Sequence, residues 1–323
     1  MVRDIDPRLL RYFVAVAQEL HFGRAAASLF VAQQALSRDI ARLERQLGKR
    51  LFVRSTRRVS LTTEAERLLP RAIELIALHD RMLDEVRGTD RPLLVDVIRD
   101  RSTPMRILTL ARSLAPNTAL EGRYHGGLGA ALRELIAHRL DVAFGRTNGV
   151  PMPIPDDLTR RLVRLEPLGL LVPDEHPLAQ QAAIPMTAIR GRTIDTSAGN
   201  PEAPEWVDLG EHLVTEHGGN VAPDHHPGMA AVAAAGPEET AHHLRATDWP
   251  ILTMLETAAV PWATVRPLVD PTPLYAWTMV HRTSLRNDGL DALNGAVDRL
   301  VEAERWLDPP ADAWLPPADR GQL

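Results

Sequence analysis

Proline divides this chain near residue 90. Only Pro7 and Pro70 lie in the first 90 residues, whereas the other 24 of the 26 prolines lie beyond them. Because proline lacks a backbone N–H and interrupts helix interiors, the first segment is free to form long helices and the remainder must be broken by turns. The chain therefore predicts a start with long helices, followed by a mixed body with its own hydrophobic core.

Charge follows the same division. Residues 1–60 carry 12 basic and 5 acidic side chains, net +7, so the remaining 25 of 37 basic and 37 of 42 acidic residues give the rest a net charge of −12. Such asymmetry indicates a basic module for a polyanion and an acidic body with another task. The chain has no cysteine, which excludes disulfides, thiolate metal sites and thiol nucleophiles.

The first 48 residues contain three helical patterns. Asp6 and Pro7 begin the first helix, which runs to about Leu20, and a short alanine-rich helix follows at 24–30. A third is predicted from about Gln33 to Leu47, ended by Gly48. One face of this third helix is apolar, and the other carries amides, a hydroxyl and guanidinium groups: Gln33, Gln34, Ser37, Arg38, Arg42 and Arg45.

Two short strand patterns follow the third helix. They lie at 51–53 and 59–61, and the connection between them carries the basic residues Arg54, Arg57 and Arg58. A helix-turn-helix followed by a basic hairpin is typical of a winged helix, whose third helix enters the major groove of DNA and whose wing touches phosphates or the minor groove. The alternative is a solvated charged face that binds nothing.

Residues 11–72, RYFVAVAQELHFGRAAASLFVAQQALSRDIARLERQLGKRLFVRSTRRVSLTTEAERLLPRA, resemble the DNA-binding region of LysR-type transcriptional regulators. The resemblance implies double-stranded DNA as partner. Contacts are implied for the turn and third helix at Ala32, Gln33, Gln34, Ser37, Arg38 and Arg42, and for the wing at Arg54, Arg57 and Arg58. The family usually has serine at Ala32, proline at Gln34 and glycine at Ala65, so a helix cap and a preset first turn are absent here.

A linker helix is predicted over 63–90. A capping box of Thr63 and Glu66 begins it, and Leu69, Ile73, Ile76 and Leu83 have the spacing of a helix–helix seam, which Asp80 interrupts. The resemblance implies that this helix forms a homodimer, that dimers assemble into a homotetramer, and that RNA polymerase is a further partner.

From Leu93 onward, strand and helix patterns alternate. Strands at 93–98, 119–124 and 141–146 alternate with helices at 105–114 and 128–140, and strands at 160–179, 249–255, 264–269 and 274–282 precede a helix at 289–305. The resemblance implies a two-lobed, periplasmic-binding-protein-like α/β effector domain over 91–307. Its first lobe is expected at about 91–160 and 268–307 and its second at about 161–267, with residues 308–323 as a disordered tail. The fold class is thus α plus α/β: a winged helix-turn-helix domain (1–62), the linker helix and the effector domain.

Ligands of open α/β sheets bind beyond the carboxyl ends of strands and near helix N-termini. The residues in such places form a candidate pocket for a small, carboxylate-bearing effector: Arg99, Arg101, Ser102, Thr103, Arg146, Thr196 and Ser197. The alternative for each is an ordinary helix cap or surface pair.

Six histidines, at 212, 217, 225, 226, 242 and 243, suggest a metal-responsive regulator, but His212 and His217 are five residues apart and not on one helical face.

We expect no metal, no cofactor and no enzymatic activity, because no nucleotide loop or catalytic motif is present. With no apolar run near 18 residues and no signal peptide, a soluble cytoplasmic protein without membrane association is expected. A third alternative is an effector-independent DNA-bridging protein whose body serves only oligomerisation.

Overall fold

A computed structural model describes residues 4–54, 59–87, 91–98, 101–196, 203–223 and 236–322. The chain divides into two compact units, Met1–Arg91 with Ile136–Arg139, and Pro92–Leu135 with Leu140–Leu323. The predicted fold class, a winged helix-turn-helix domain and a mixed α/β domain, is confirmed. None of the helices within the described ranges is long and apolar enough to cross a membrane.

The first unit is a winged helix-turn-helix followed by a long helix. Its elements are α1 (Pro7–Glu19), α2 (Phe22–Ser28), α3 (Gln33–Leu47), β1 (Phe52–Arg54), β2 (Val59–Leu61) and α4 (Thr63–Arg87). Strands β1 and β2 are antiparallel, with Phe52 opposite Leu61. Phe52 brings this hairpin into the helical core, since its ring lies 5.7 Å from the rings of both Phe13 and Phe22.

The helix ends follow from local sequence. Asp6 Oδ1 accepts a hydrogen bond of 2.8 Å from Arg8 N at the start of α1, and Gly48 ends α3 at a φ of 66°, a conformation that favours glycine. The cap of α4 is Thr62, whose Oγ1 accepts from Ala65 N at 3.2 Å. The predicted capping box at Thr63 is therefore wrong by one residue. As expected, Ala32 gives α3 no side-chain cap.

The second unit is a mixed α/β domain. Its strands are β3 (Leu93–Asp96), β4 (Leu120–Arg123), β5 (Val142–Gly145), β6 (Leu158–Pro173), β7 (Ile184–Pro185), β8 (Thr193–Ile194), β9 (Asn220–Val221), β10 (Ile251–Met254), β11 (Ala263–Val269), β12 (Thr272–Arg282) and β13 (Ala313–Trp314). Its helices are α5 (Thr103–Leu114), α6 (Leu128–Ile136), α7 (Pro204–Glu216), α8 (Pro237–Thr247) and α9 (Asp288–Glu304).

Nine of these strands form one sheet in the order β4-β3-β5-β12-β6-β11-β7, with β10 also paired to β6 and β13 to β12. A separate parallel pair is formed by β8 and β9.

Strand β6 links the two lobes of this unit. Its first part, from Leu158 to Pro167, pairs with β12. Its last part, from Leu168 to Pro173, pairs with β10 and β11. Buried apolar residues lie in both parts of β6, with Val163 in the first and Leu168, Leu170 and Val172 in the last, so the strand contributes to the cores of both lobes.

The prediction of a disordered tail at 308–323 is wrong. Strand β13 pairs in parallel with β12, placing Thr272 opposite Ala313 and Pro273 opposite Trp314, and a 3-10 helix follows at Pro317–Gln322. Trp314 Nε1 donates a hydrogen bond of 3.2 Å to Glu216 Oε1. The residues of this segment give no information by themselves about the distant strand against which they pack.

Candidate functional site

Helix α3 presents a polar face opposite its buried one. Leu36, Ile40 and Leu43 are fully buried in the core of the first unit. On the other side Gln33, Gln34, Arg38 and Arg42 are exposed, and Ser37 is half-buried. The spacing of three and four residues places Gln34, Ser37 and Arg38 side by side on one face.

Arg38 and Arg42 make no hydrogen bond or ion pair with any residue that the structure describes. By contrast, Arg24 on α2 is held by Glu19, with Nε 2.9 Å from Oε2. The outward face of α3 therefore offers uncommitted guanidinium and amide groups, which are the groups that pair with guanine and adenine edges in a major groove.

The remaining predicted DNA contacts lie at the wing and the turn. Ala32, directly before α3, is exposed. Arg54 ends β1, but its side chain and all of Arg57 and Arg58 lie outside the described residues. Sequence reasoning missed Phe30, which lies in the turn before α3 at a φ of 55° and is 96% exposed. A left-handed backbone conformation is uncommon for phenylalanine, and no sequence pattern indicates it at this position.

Helix α4 differs from the predicted seam. Leu69 and Ile76 pack against the core of the first unit, and Ile73 and Leu83 are half-buried. Asp80 is ion-paired with Arg11 of α1, so it belongs to the contact between α1 and α4 rather than to a seam. The apolar residues left about half exposed are Leu75, Leu78 and Met82, at spacings of three and four, and we call them the α4 stripe.

The second unit contains a partly open cavity of about 250 Å³ between elements of both lobes. Its wall is mainly apolar and aromatic, and includes Ile98, Tyr124, Leu171, Trp206, Leu252, Met254, Val260, Tyr275 and Trp277. The rings of Trp206, Tyr275 and Trp277 form a continuous series, with centroids 5.6 and 4.7 Å apart. A mainly apolar cavity with a few polar groups is typical of a small-molecule site.

Of the predicted effector residues that the structure describes, only Ser102 lines this cavity. Thr103 is buried beside it and donates a hydrogen bond of 2.8 Å to Glu166 Oε2. Arg101 is exposed, at a φ of 62°, and Thr196 is buried away from the cavity wall. Arg99 and Ser197 lie outside the described residues.

The position of Arg146 contradicts its predicted role as an effector contact. The residue is 1% exposed and does not line the cavity. Its Nε lies 2.5 Å from Asp319 Oδ2, and one terminal nitrogen lies 2.6 Å from Asp208 Oδ2 and 2.9 Å from the carbonyl oxygen of Glu205. These partners, and Asp319 above all, make Arg146 a structural cation that holds the C-terminal segment in place.

Three carboxylates that the sequence did not single out line the cavity: Glu166, Glu205 and Glu256. Glu166 accepts from Trp277 Nε1 at 2.6 Å and lies 3.5 Å from the guanidinium of Arg164. Glu256 is paired at 3.2 Å with both Arg106 and Arg164. Isolated glutamates carry no motif, so only their position in the folded chain identifies them.

Glu205 differs from the other two carboxylates. Its Oε1 accepts a hydrogen bond of 2.6 Å from Leu128 N at the start of α6, whereas its Oε2 is buried and has no hydrogen-bond partner within the described part of the chain. Burial raises the pKa of Glu205, an effect that nearby backbone N–H groups partly offset. Burial also raises the pKa of the neighbouring Tyr275 well above its usual range.

The histidines have individual structural roles. His212 and His217 each lie within hydrogen-bonding distance of a backbone oxygen four residues earlier, at 2.8 and 2.9 Å, and His243 Nε2 lies 2.9 Å from Asp195 Oδ2. Within the described part of the chain, no group of three metal-ligating side chains is brought together. His225 and His226 lie outside it.

Comparison with known proteins gives a consistent result. The family profile described as "Bacterial regulatory helix-turn-helix protein, lysR family" matches residues 7–66. The chain is 32% identical over 199 residues to the uncharacterized HTH-type transcriptional regulator YnfL of Escherichia coli K12, covering 58% of this chain and 63% of that one. It is 35% identical over 187 residues to a probable hydrogen peroxide-inducible genes activator of Mycobacterium xenopi, covering 54% and 94%.

The fold extends this similarity along the chain. The crystal structure of CbnR, a LysR family transcriptional regulator, matches with a TM-score of 0.65 at 18% identity, covering 91% of this chain and 99% of that one.

Proposed function

Because this chain belongs to the LysR family of bacterial helix-turn-helix regulators, we propose that it is a sequence-specific DNA-binding transcriptional regulator whose activity responds to a small molecule. The observation that carries the proposal is the outward face of α3, on which Arg38 and Arg42 lie exposed and uncommitted among the described residues while the opposite face is buried. This proposal assigns the protein no enzymatic activity and no cofactor.

In the proposed complex, α3 lies in the major groove. Gln33, Gln34, Ser37 and Arg38 read base edges, and Ala32 and Arg42 lie at the same surface. The wing residues Arg54, Arg57 and Arg58 contact phosphates or the minor groove. Arg38 is our first choice for base readout, because a guanidinium forms two hydrogen bonds with guanine.

The effector is proposed to bind in the cavity of the second unit. Its aromatic wall and buried polar groups support this proposal over that of a DNA-bridging protein, for which an internal cavity has no use. Binding between lobes that are linked through β6 would alter the geometry of the assembled regulator on DNA.

Oligomerisation is proposed to proceed through α4. The α4 stripe is apolar, about half exposed and spaced for helix pairing, which supports a homodimer formed by two such helices. Assembly of dimers into a homotetramer, contact with RNA polymerase and location in the cytoplasm are part of the same proposal.

The test is selection of DNA sequences from a random pool by the full chain, followed by titration of a selected and a scrambled duplex. Replacing Arg38 with alanine is expected to weaken binding to the selected duplex by about 1–3 kcal/mol and to weaken binding to the scrambled duplex far less. The matched control is Arg299→Ala, which removes an exposed arginine from α9. Equal loss on both duplexes would contradict base readout by Arg38, and failure to enrich any sequence would contradict the proposed function.

A further inference from the structure

Resting on the proposed function, we propose that the effector is an amine: a molecule with an apolar, aromatic-sized body and a protonated amino group that pairs with the carboxylate of Glu205. This proposal replaces the carboxylate-bearing effector that the sequence suggested. Three observations on the cavity support it.

The first observation is the charge of the cavity wall. None of the described residues that line the cavity is an arginine, lysine or histidine, whereas Glu166, Glu205 and Glu256 are all present. Arg146, the cation expected to receive a carboxylate, is committed to Asp319 and Asp208. An anionic ligand would therefore find no cationic partner in the described wall, where arginines already offset the charges of Glu166 and Glu256.

The second observation identifies which carboxylate is available. Glu166 and Glu256 each have an arginine within 3.5 Å. Among the described residues no arginine is bonded to the carboxylate of Glu205, since Arg146 bonds only to its backbone oxygen. Oε1 of Glu205 is occupied by Leu128 N, and Oε2 has no hydrogen-bond partner in a residue that is 1% exposed. A buried acceptor of this kind is unfavourable by itself, so a ligand donor that pairs with it gains that free energy.

The third observation is the aromatic wall beside Glu205. Trp206 follows Glu205 directly in the chain, and its ring is continuous with those of Tyr275 and Trp277. Aromatic faces attract cations as well as apolar surface. A carboxylate next to this series of tilted aromatic rings therefore suits an arylalkyl amine better than a sugar, a phosphate or a dicarboxylate.

Two matched series test the proposal on the full chain. Each contains an amine, an alcohol and a carboxylate on the same body: 2-phenylethylamine, 2-phenylethanol and 3-phenylpropionate, and tryptamine, tryptophol and indole-3-propionate. Affinities are measured by isothermal titration calorimetry, with thermal shift as a second readout. We expect the amine of at least one series to bind about ten-fold or more tightly than its alcohol, and the carboxylate to bind most weakly.

Two variants connect the preference to one atom. Glu205→Gln keeps an acceptor for Leu128 N but replaces the charged oxygen, and is expected to reduce the preference for the amine to less than about three-fold. Glu256→Gln is the control, because it removes a carboxylate from the same cavity whose charge is already paired and 43% exposed. It is expected to retain the preference.

The proposal is overturned if no amine binds, if a carboxylate binds most tightly in the unmodified chain, or if Glu205→Gln keeps the full preference for the amine. Carboxylate affinity that rises in Glu205→Ala would indicate an anionic effector that displaces Glu205 from the start of α6. Failure of the proposed function gives a different result from failure of the amine proposal. If only the proposed function fails, the amine binds in a Glu205-dependent manner, but the affinity of the protein for the selected duplex is the same with and without the amine.

Discussion

Replacing Asp319 with alanine tests whether the C-terminal segment is a structural part of the second unit. Asp319 is 0% exposed; its Oδ2 lies 2.5 Å from Arg146 Nε, and its Oδ1 accepts from Asn148 Nδ2 at 2.6 Å. Its removal leaves a buried guanidinium with one partner fewer. Breaking a buried ion pair in this way costs about 3–5 kcal/mol.

The expected loss lies at the lower end of that range, about 3 kcal/mol, because Asp208 still pairs with Arg146 from a position that is 35% exposed. The assay is urea unfolding of the full chain followed by tryptophan fluorescence. All six tryptophans lie at or after Trp206, so this signal reports the second unit alone. The loss in the free energy of unfolding is calculated from the shift in the urea midpoint, provided that the slope of this free energy against urea concentration is unchanged.

The control is Asp312→Ala in the same segment. Asp312 is exposed and accepts from Thr272 Oγ1 at 3.1 Å, so its removal is expected to cost about 1 kcal/mol or less. If Asp319→Ala unfolds within about 0.5 kcal/mol of the unmodified chain, the ion pair with Arg146 does not stabilise the unit and our reasoning about the C-terminal segment is refuted.

Three further predictions concern other parts of the chain. Leu78→Glu places a charge in the proposed dimer interface and is expected to weaken self-association at least ten-fold, about 1.4 kcal/mol, in analytical ultracentrifugation. His125→Asn tests a pH dependence: the hydrogen bond to the Asp96 carboxylate raises the pKa of His125, so its stabilising effect is complete below the unfolded pKa of about 6.5 and is lost as pH rises through the raised folded value. The melting temperatures of the two proteins should therefore differ most near pH 6 and converge at alkaline pH. His21→Ala removes the acceptor for Gly23 N and Arg24 N at the start of α2 and is expected to cost about 1 kcal/mol in unfolding followed by circular dichroism.

Each of these predictions has a control. Arg67→Glu adds an acid at an exposed position of the same helix and should leave self-association unchanged. His242→Asn makes the same change at an exposed histidine of α8, and its pH profile is the reference for that of His125→Asn. His21→Asn keeps a capping acceptor and should restore most of the lost stability. A monomer–dimer equilibrium unaffected by Leu78→Glu, parallel pH profiles, or equal losses in the two His21 variants would each contradict the corresponding prediction.

The local features of this protein were determined by its sequence. The bounds of α3, Gln33–Leu47, agree with prediction to the residue, because apolar periodicity and a following glycine act within a few residues of one another. The same holds for the polar face that includes Arg38 and for the alternation of strands and helices from Leu93 onward. Such features need no knowledge of distant partners.

Only the tertiary structure decided which polar groups are available for binding. Arg146 and Asp319 are 173 residues apart in the chain, as are Arg11 and Asp80 by 69 and Leu128 and Glu205 by 77. In the sequence, nothing distinguishes these residues from others of their type. Whether one of them forms an ion pair, caps a helix or faces a cavity depends on the group that folding brings to within 3 Å. The free energy of a buried charge is set by that partner, so the same chemistry that made Arg146 a candidate for ligand binding made it a structural ion pair, and left Glu205 facing the cavity with an unpaired oxygen.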